Sequence, residues 1–221
     1  RSPSWRCFHG GPTTSTRPGL PPSRRQSRRP GLGPQRPRHT TRAQRGPVSL
    51  YPGAALGLDA AVVPVAQRKD PFGIAHWPLV TGRDGCRTPM PWAGDAPHAG
   101  VSTHAPWLPV WPAHRERAVD RQAAEPHSML ATTRQLIRLR QQHPALRVGE
   151  LEVAHVDDDL LHLVRRAGQT EMHAVFNLGA TERTLAMPQA DARTQWSGGA
   201  RPSPTTLDLP PGAAWLGLGD A

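Results

Sequence analysis

Apolar positions change their spacing along the chain, and each spacing predicts a different element. Met129, Leu130, Thr133, Leu136, Ile137 and Arg140 recur at steps of three and four. That spacing predicts a helix over residues 126–142 with a single stripe on one face. Pro126 suits an early helical position, Glu125 or Ser128 can supply the cap, and Pro144 stops the element. Arg134, Arg138 and Gln141 point elsewhere, so the stripe calls for a partner surface. After Arg147 the period falls to two. Residues 151–156 and 160–164 flank Asp157-Asp158-Asp159, a hairpin pattern. Further short strands are expected at 171–178, 183–187, 193–196, 206–209 and 213–218, separated by Gly, Pro, Asn and Asp turns. Strands at this density predict a small antiparallel sandwich of about 75 residues, marginal alone by core size.

Upstream of the helix the patterning weakens. Val48-Ser49-Leu50-Tyr51 reads as a short buried strand ended by Pro52-Gly53. Residues 59–127 are loop-dominated, with ten prolines and with Trp77, Trp92, Trp107 and Trp111 scattered among them. A loop region of that length is expected to be laid over a larger scaffold. Residues 1–45 have neither period, and too little apolar surface to offset the entropy of ordering; they are expected to be disordered.

Composition narrows the classes. The chain has 221 residues, 37% of them hydrophobic, with 26 prolines and 21 glycines, which argues against a compact helical protein. No apolar run approaches the ~20 residues of a membrane span. Two cysteines are too few for a disulfide scaffold or a Cys-rich zinc module. No secretory h-region opens the sequence, and the expected compartment is the cytoplasm. The net charge of +10 is local: residues 1–45 hold 11 Arg and no acidic residue, while the rest hold 16 basic and 17 acidic side chains. Three readings fit that segment: a solvated tail, an arginine-rich arm attracted to phosphates, or an out-of-frame GC-rich coding stretch. Nucleic acid is not the expected partner, because aromatics in the arm are limited to Trp5 and Phe8 and no recognition module follows.

The segment Gly82-Arg83-Asp84-Gly85-Cys86-Arg87-Thr88-Pro89-Met90-Pro91-Trp92 is too particular for a generic loop. It resembles the segment after the last barrel strand in bacterial α-glucosidases of the α-amylase superfamily (glycoside hydrolase family 13). Other landmarks agree in order: Leu50-Tyr51-x-Gly53-x-x-Leu56-Gly57, Asp70-Pro71-Phe72-Gly73-Ile74-Ala75-His76-Trp77-Pro78, Ala99-Gly100-Val101-Ser102-Thr103, Pro106-Trp107-Leu108-Pro109-Val110 and His143-Pro144-Ala145-Leu146. The resemblance covers residues 46–221. Beyond the segment at 1–45, expected to be disordered, it implies the end of a (β/α)8 barrel at 46–146 (last strand, long loops, last helix) and an all-β antiparallel sandwich domain at 147–221. It also implies a retaining α-glucosidase acting on α-glucoside oligosaccharides through two carboxylates.

In the family those two carboxylates, and the Asp of a His-Asp pair, precede everything matched here, and the first acid of this chain is Asp59. No catalytic residue is therefore assigned, the chain is expected to be inactive alone, and a complementing N-terminal barrel chain is an expected partner. Arg87 is the leading substrate-binding candidate, because the family's Arg here donates to hydroxyls of the terminal glucose and a planar fork of donors suits that task. Asp84 and Trp92 are secondary candidates, with bracing the loop and anchoring it as their commoner fates. Cys86 reads as a small buried residue. Two departures remove acids from the site: Pro52-Gly53-Ala54-Ala55 stands where the family has Gln-Gly-Glu-Glu, and Ala93 follows Met-Pro-Trp. No metal or cofactor is expected: Asp157-Asp158-Asp159 lacks the Gly and distal Glu of a calcium loop, and the histidines form no zinc spacing. A carbohydrate-binding β domain is the alternative of a different class, and it would rest on Trp196 and Trp215.

Overall fold

The computed structural model describes residues 43, 46, 48–50, 52–189 and 191–220. The readings for residues 1–45 fall outside the described residues, apart from Ala43. Among the described residues eight strands form two antiparallel sheets. They are β1 (Glu150–Val156), β2 (Leu160–Ala167), β3 (Thr170–Asn177), β4 (Arg183–Ala186), β5 (Arg193–Gly198), β6 (Arg201–Pro202), β7 (Thr206–Leu209) and β8 (Ala214–Asp220). The large sheet has the order β1-β2-β3-β8-β5 and the small one β4-β7-β6. The Asp triplet makes the β1–β2 turn: Asp157 Oδ1 accepts from the amides of Asp159 (2.8 Å) and Leu160 (2.6 Å). The Arg183 guanidinium at 2.8 Å, followed by those amides, holds the Asp157 carboxyl well below the usual carboxylate range.

β3 is buried without alternation from Met172 to Asn177 because the large sheet is covered on both faces. Val175 joins Leu160 and Trp215 against Leu207 and Leu209 of the small sheet. Met172, Ala174 and Phe176 face the other way, onto Leu136, Leu139, Ala145 and Leu146. A strand wrapped in this way reads as a continuous apolar run.

The helices upstream are short, with one exception. They are α1 (Pro52–Ala55), α2 (Pro71–Ala75), α3 (Pro112–Arg115), α4 (Val119–Ala123), α5 (Met129–Gln142) and α6 (Pro144–Val148). α5 starts later than its pattern predicts: Ser128 is the cap, its Oγ accepting from the Ala131 amide at 3.1 Å, and Pro126 lies outside. Pro144 ends α5 and opens α6 at its first helical position.

The predicted single stripe is also corrected. Leu130, Thr133, Leu136 and Leu139 are buried, while Ile137 is 39% exposed. Leu130 and Leu139 are nine residues apart, which puts them about half a turn out of phase. Each meets a different partner: Leu130 packs with Leu56 and Leu58, and Leu139 packs on the large sheet. Thr133 Oγ1 donates to the Ala55 carbonyl at 3.3 Å.

Arg165 of β2, fully buried, donates to the carbonyls of Leu146 (3.3 Å) and Gly149 (2.8 Å) and so ties the end of α6 to the sheet. Residues 48–50, expected as a strand with Tyr51, carry no ladder. A strand exists through its neighbours, and none lies alongside among the described residues. No helix among the described residues is long and apolar enough to cross a membrane.

Candidate functional site

The segment from Gly82 to Trp92 is fixed by a reciprocal pair of carboxylates. Asp84, 3% exposed, accepts on Oδ2 from the amides of Lys69 (2.7 Å) and Asp70 (3.0 Å). Asp70, 4% exposed, returns the arrangement: Oδ2 accepts from the Arg83 amide at 2.7 Å, and Oδ1 caps α2 through the Phe72 amide at 3.3 Å. Each acid thereby satisfies backbone donors of the other's loop.

The loops approach so closely that a Cβ on Gly73 would sit 2.7 Å from the Gly82 Cα, and Gly82 itself has φ +72°. Both positions require glycine. Asp70 and Asp84 therefore face backbone amides instead of a sugar. Neither is placed to attack or to donate a proton.

The rest of the motif hangs on this junction. Arg87 follows a 3-10 turn over Asp84–Cys86, its amide donates to the Asp84 carbonyl at 2.9 Å, and its side chain is exposed with no ion pair among the described residues. Arg83, which the sequence reading passed over, is a second exposed guanidinium on the same loop, 67% exposed with Nε 3.8 Å from Asp70 Oδ2. Cys86 is half-buried and is not a free thiol.

Burial lowers the pKa of His114. In its neutral form Nε2–H donates to the Asp59 carbonyl at 2.9 Å, and Nδ1 accepts from the Thr88 hydroxyl at 3.4 Å. Trp92 is held by its backbone, donating to the Ala99 carbonyl (2.9 Å) and accepting from the Asp120 amide (3.1 Å), while its ring is 52% exposed. His98 and Ala99 take left-handed φ of +50° and +53° at that contact, and the Ala99 carbonyl also receives the Ala93 amide at 3.0 Å.

Of the three candidates from sequence, Arg87 and Trp92 lie on the outside of this loop and Asp84 lies inside it. Asp70 and His114 were missed. Asp70 did leave a trace, an Asp directly before Pro71, which is the pattern of a helix cap. His114 left none, because its partners lie 26 and 55 residues away.

Beside Lys69 lies a cavity of about 470 Å³ lined by Gln67, Lys69, His98, Trp107, Val110 and Arg115. The Arg115 guanidinium is already engaged by the carbonyls of Gly94 (2.8 Å) and Ala96 (3.0 Å). In the β domain, Trp215 is fully buried and Trp196 packs against the helix-side core, so neither forms an exposed aromatic platform. Among the described residues no group of His, Cys, Asp or Glu could hold a metal ion.

The family model described as the catalytic domain of alpha-amylase matches residues 39–149. A "Probable alpha-glucosidase" of Rhizobium meliloti is 38% identical over 144 residues, covering 65% of this chain and 26% of that protein. An "Oligo-1,6-glucosidase" of Parageobacillus thermoglucosidasius is 29% identical over 121 residues, covering 54% and 21%. The chain thus spans about a quarter of the length of the curated relatives it matches. Among solved structures, an alpha-glucosyl transfer enzyme, XgtA, superposes with a TM-score of 0.76 at 33% identity, covering 84% of this chain and 35% of that one. A trehalulose synthase, MutB, superposes at 0.74 with 23% identity, over 85% and 38%, which speaks for the fold alone.

Proposed function

The chain belongs to the α-amylase family, and on that premise we propose that it supplies the closing loops, the last helix and the C-terminal β domain of a retaining α-glucosidase. Such an enzyme hydrolyses terminal α-glucosidic bonds of oligosaccharides. The observation that carries this reading is the 82–92 loop, whose backbone is locked by Asp70 and Asp84 while Arg83, Arg87 and the Trp92 ring are left outside. A planar fork of donors and an aromatic face carried by one loop suit a pyranose, which presents hydroxyls at its rim and an apolar ring face. Arg87 is the side chain to which we give the sugar-binding role.

Retaining cleavage requires two carboxyl groups about 5–5.5 Å apart and open to the glycosidic oxygen. Asp70 and Asp84 are closed in by amides and do not offer such a pair. A barrel segment that brings the two carboxylates also has a surface to meet. Val62 (70% exposed), Leu79 (88%) and Trp107 (77%) are large apolar side chains facing outward. Buried Arg68 keeps Nη1 without a hydrogen-bond partner among the described residues.

The test is turnover of p-nitrophenyl α-glucoside by the purified chain. We expect none above the buffer blank; a rate comparable to that of an intact α-glucosidase would overturn the proposal. Adding the preceding barrel segment of a relative as a separate chain should restore turnover, and Arg87→Ala should raise KM in that mixture at least tenfold.

A further inference from the structure

The cavity beside Lys69 has a one-sided charge. Lys69, His98 and Arg115 stand on its wall, together with Gln67, Trp107 and Val110. No Asp or Glu is among the described residues that line it. None of the three basic side chains has a carboxylate partner among the described residues. The acids closest to Lys69 are turned to backbone amides: Asp84 accepts from the Lys69 amide itself at 2.7 Å, and Asp70 from that of Arg83 at 2.7 Å. The Lys69 ammonium is thereby left to the cavity.

His98 and Arg115 belong to a braced part of the wall. Both carboxylate oxygens of Asp120 accept the Gly94 amide, at 3.2 and 3.1 Å. Arg115, the last residue of α3, donates through Nη1 to the carbonyls of Gly94 and Ala96. Those two bonds fix the plane of the guanidinium and leave its Nε–H and Nη2 donors, out of five, for something else. His98 and Ala99 both hold left-handed φ, +50° and +53°, in residues that carry a Cβ. Backbone strain of this kind persists only where the surroundings over-determine it, and it gathers at ligand clamps. Here it sets His98 on the cavity wall.

Trp107 completes the lining. Lys69 Nζ stands over its ring, 5.9 Å from the centroid, so an ammonium and an aromatic face border the same space. The cavity volume of about 470 Å³ falls within the range of roughly 300–1,000 Å³ common to small-molecule sites.

We propose that this cavity binds a phosphorylated sugar, with the phosphoryl group on Lys69, Arg115 and His98 and the pyranose against Trp107. A phosphate monoester carries about −1.5 to −2 charge at neutral pH and three strong acceptor oxygens. The guanidinium fork matches two of those oxygens, the ammonium adds a point charge, and the imidazole adds a ring N–H. A neutral glucoside would leave both fixed cations without a counter-charge. Trp107 and Val110 supply the apolar contact that the ring C–H groups of a pyranose need. The phosphate follows from the cavity alone; the choice of a sugar over another ring rests on the α-glucosidase reading above.

Calorimetric titration of the full chain with glucose 6-phosphate, glucose, inorganic phosphate and adenosine monophosphate tests the site. Glucose 6-phosphate should bind at least tenfold more tightly than any of the other three. Lys69→Gln and Trp107→Ala should each weaken it at least fivefold. Both side chains are exposed, and the Lys69 amide keeps its bond to Asp84 in the variant. Raising sodium chloride from about 50 to about 500 mM should weaken glucose 6-phosphate roughly fivefold and leave glucose unchanged. No binding of glucose 6-phosphate, or binding unaltered by Lys69→Gln, would overturn the site. Inorganic phosphate or adenosine monophosphate binding as tightly as glucose 6-phosphate would overturn its assignment to a sugar phosphate. Turnover is read in none of these titrations, so their failure leaves the α-glucosidase reading standing, and the failure of that reading leaves the phosphate contacts to be measured in the same way.

Discussion

Asp84 shows how one buried carboxylate can fix a whole loop. Its Oδ2 receives two amides from a segment 14 and 15 residues away. Asp84→Ala strands one buried and one part-buried donor, a loss of about 2–6 kcal/mol at roughly 1–3 kcal/mol per unsatisfied group. Asp84→Asn retains an oxygen acceptor and should lose less than half of that. Arg87→Ala, at an exposed position, should stay within about 0.5 kcal/mol. Urea midpoints of the three variants check the order. The motif that contains Asp84 and Arg87 was legible in the sequence because its residue types are so particular. The exchange of amides between Asp70 and Asp84 was not, since it depends on two glycines, Gly73 and Gly82, meeting backbone to backbone in the folded molecule.

Elements differ in how much of themselves the chain announces. The β1–β2 hairpin and β7 could be read from alternation and turn residues, because those signals are local. α5 was legible as a helix, but its buried positions were misjudged, because which side of a helix is covered depends on what lies on each side. Residues 48–50 show the opposite limit: a strand-like composition with no neighbour among the described residues yields no strand. The weight borne by the α5–α6 corner can be measured at Leu146, which is 1% exposed and packs under β2 and β3. Leu146→Ala should cost about 2–5 kcal/mol through lost burial and the cavity left behind. Ile137→Ala, at a 39% exposed site on the preceding helix, should cost under about 1 kcal/mol. Chemical denaturation of both variants, followed by far-UV ellipticity, separates a corner that carries the sheet from a helix that merely decorates it.

For the whole molecule the contrast lies between its two ends. The β domain closes two cores, whereas residues 62–107 leave Phe72, Ile74, Trp77 and Leu79 at 45% exposure or more. Large apolar side chains left exposed in one short segment are the composition of an interface. The native chain should therefore bind an apolar fluorescent dye at neutral pH and sediment as a concentration-dependent mixture. A sharp monomer boundary with no dye signal would contradict an open interface. The sequence announced this division through its balance of loops and strands, but not the seam between the halves. Leu130 of α5 is gripped by Leu56 and Leu58, and Leu139, half a turn round, is gripped by the sheet. Gene shuffling that trades the sandwich between relatives would therefore succeed only with a breakpoint ahead of Ser128, so that helix and sheet are inherited together.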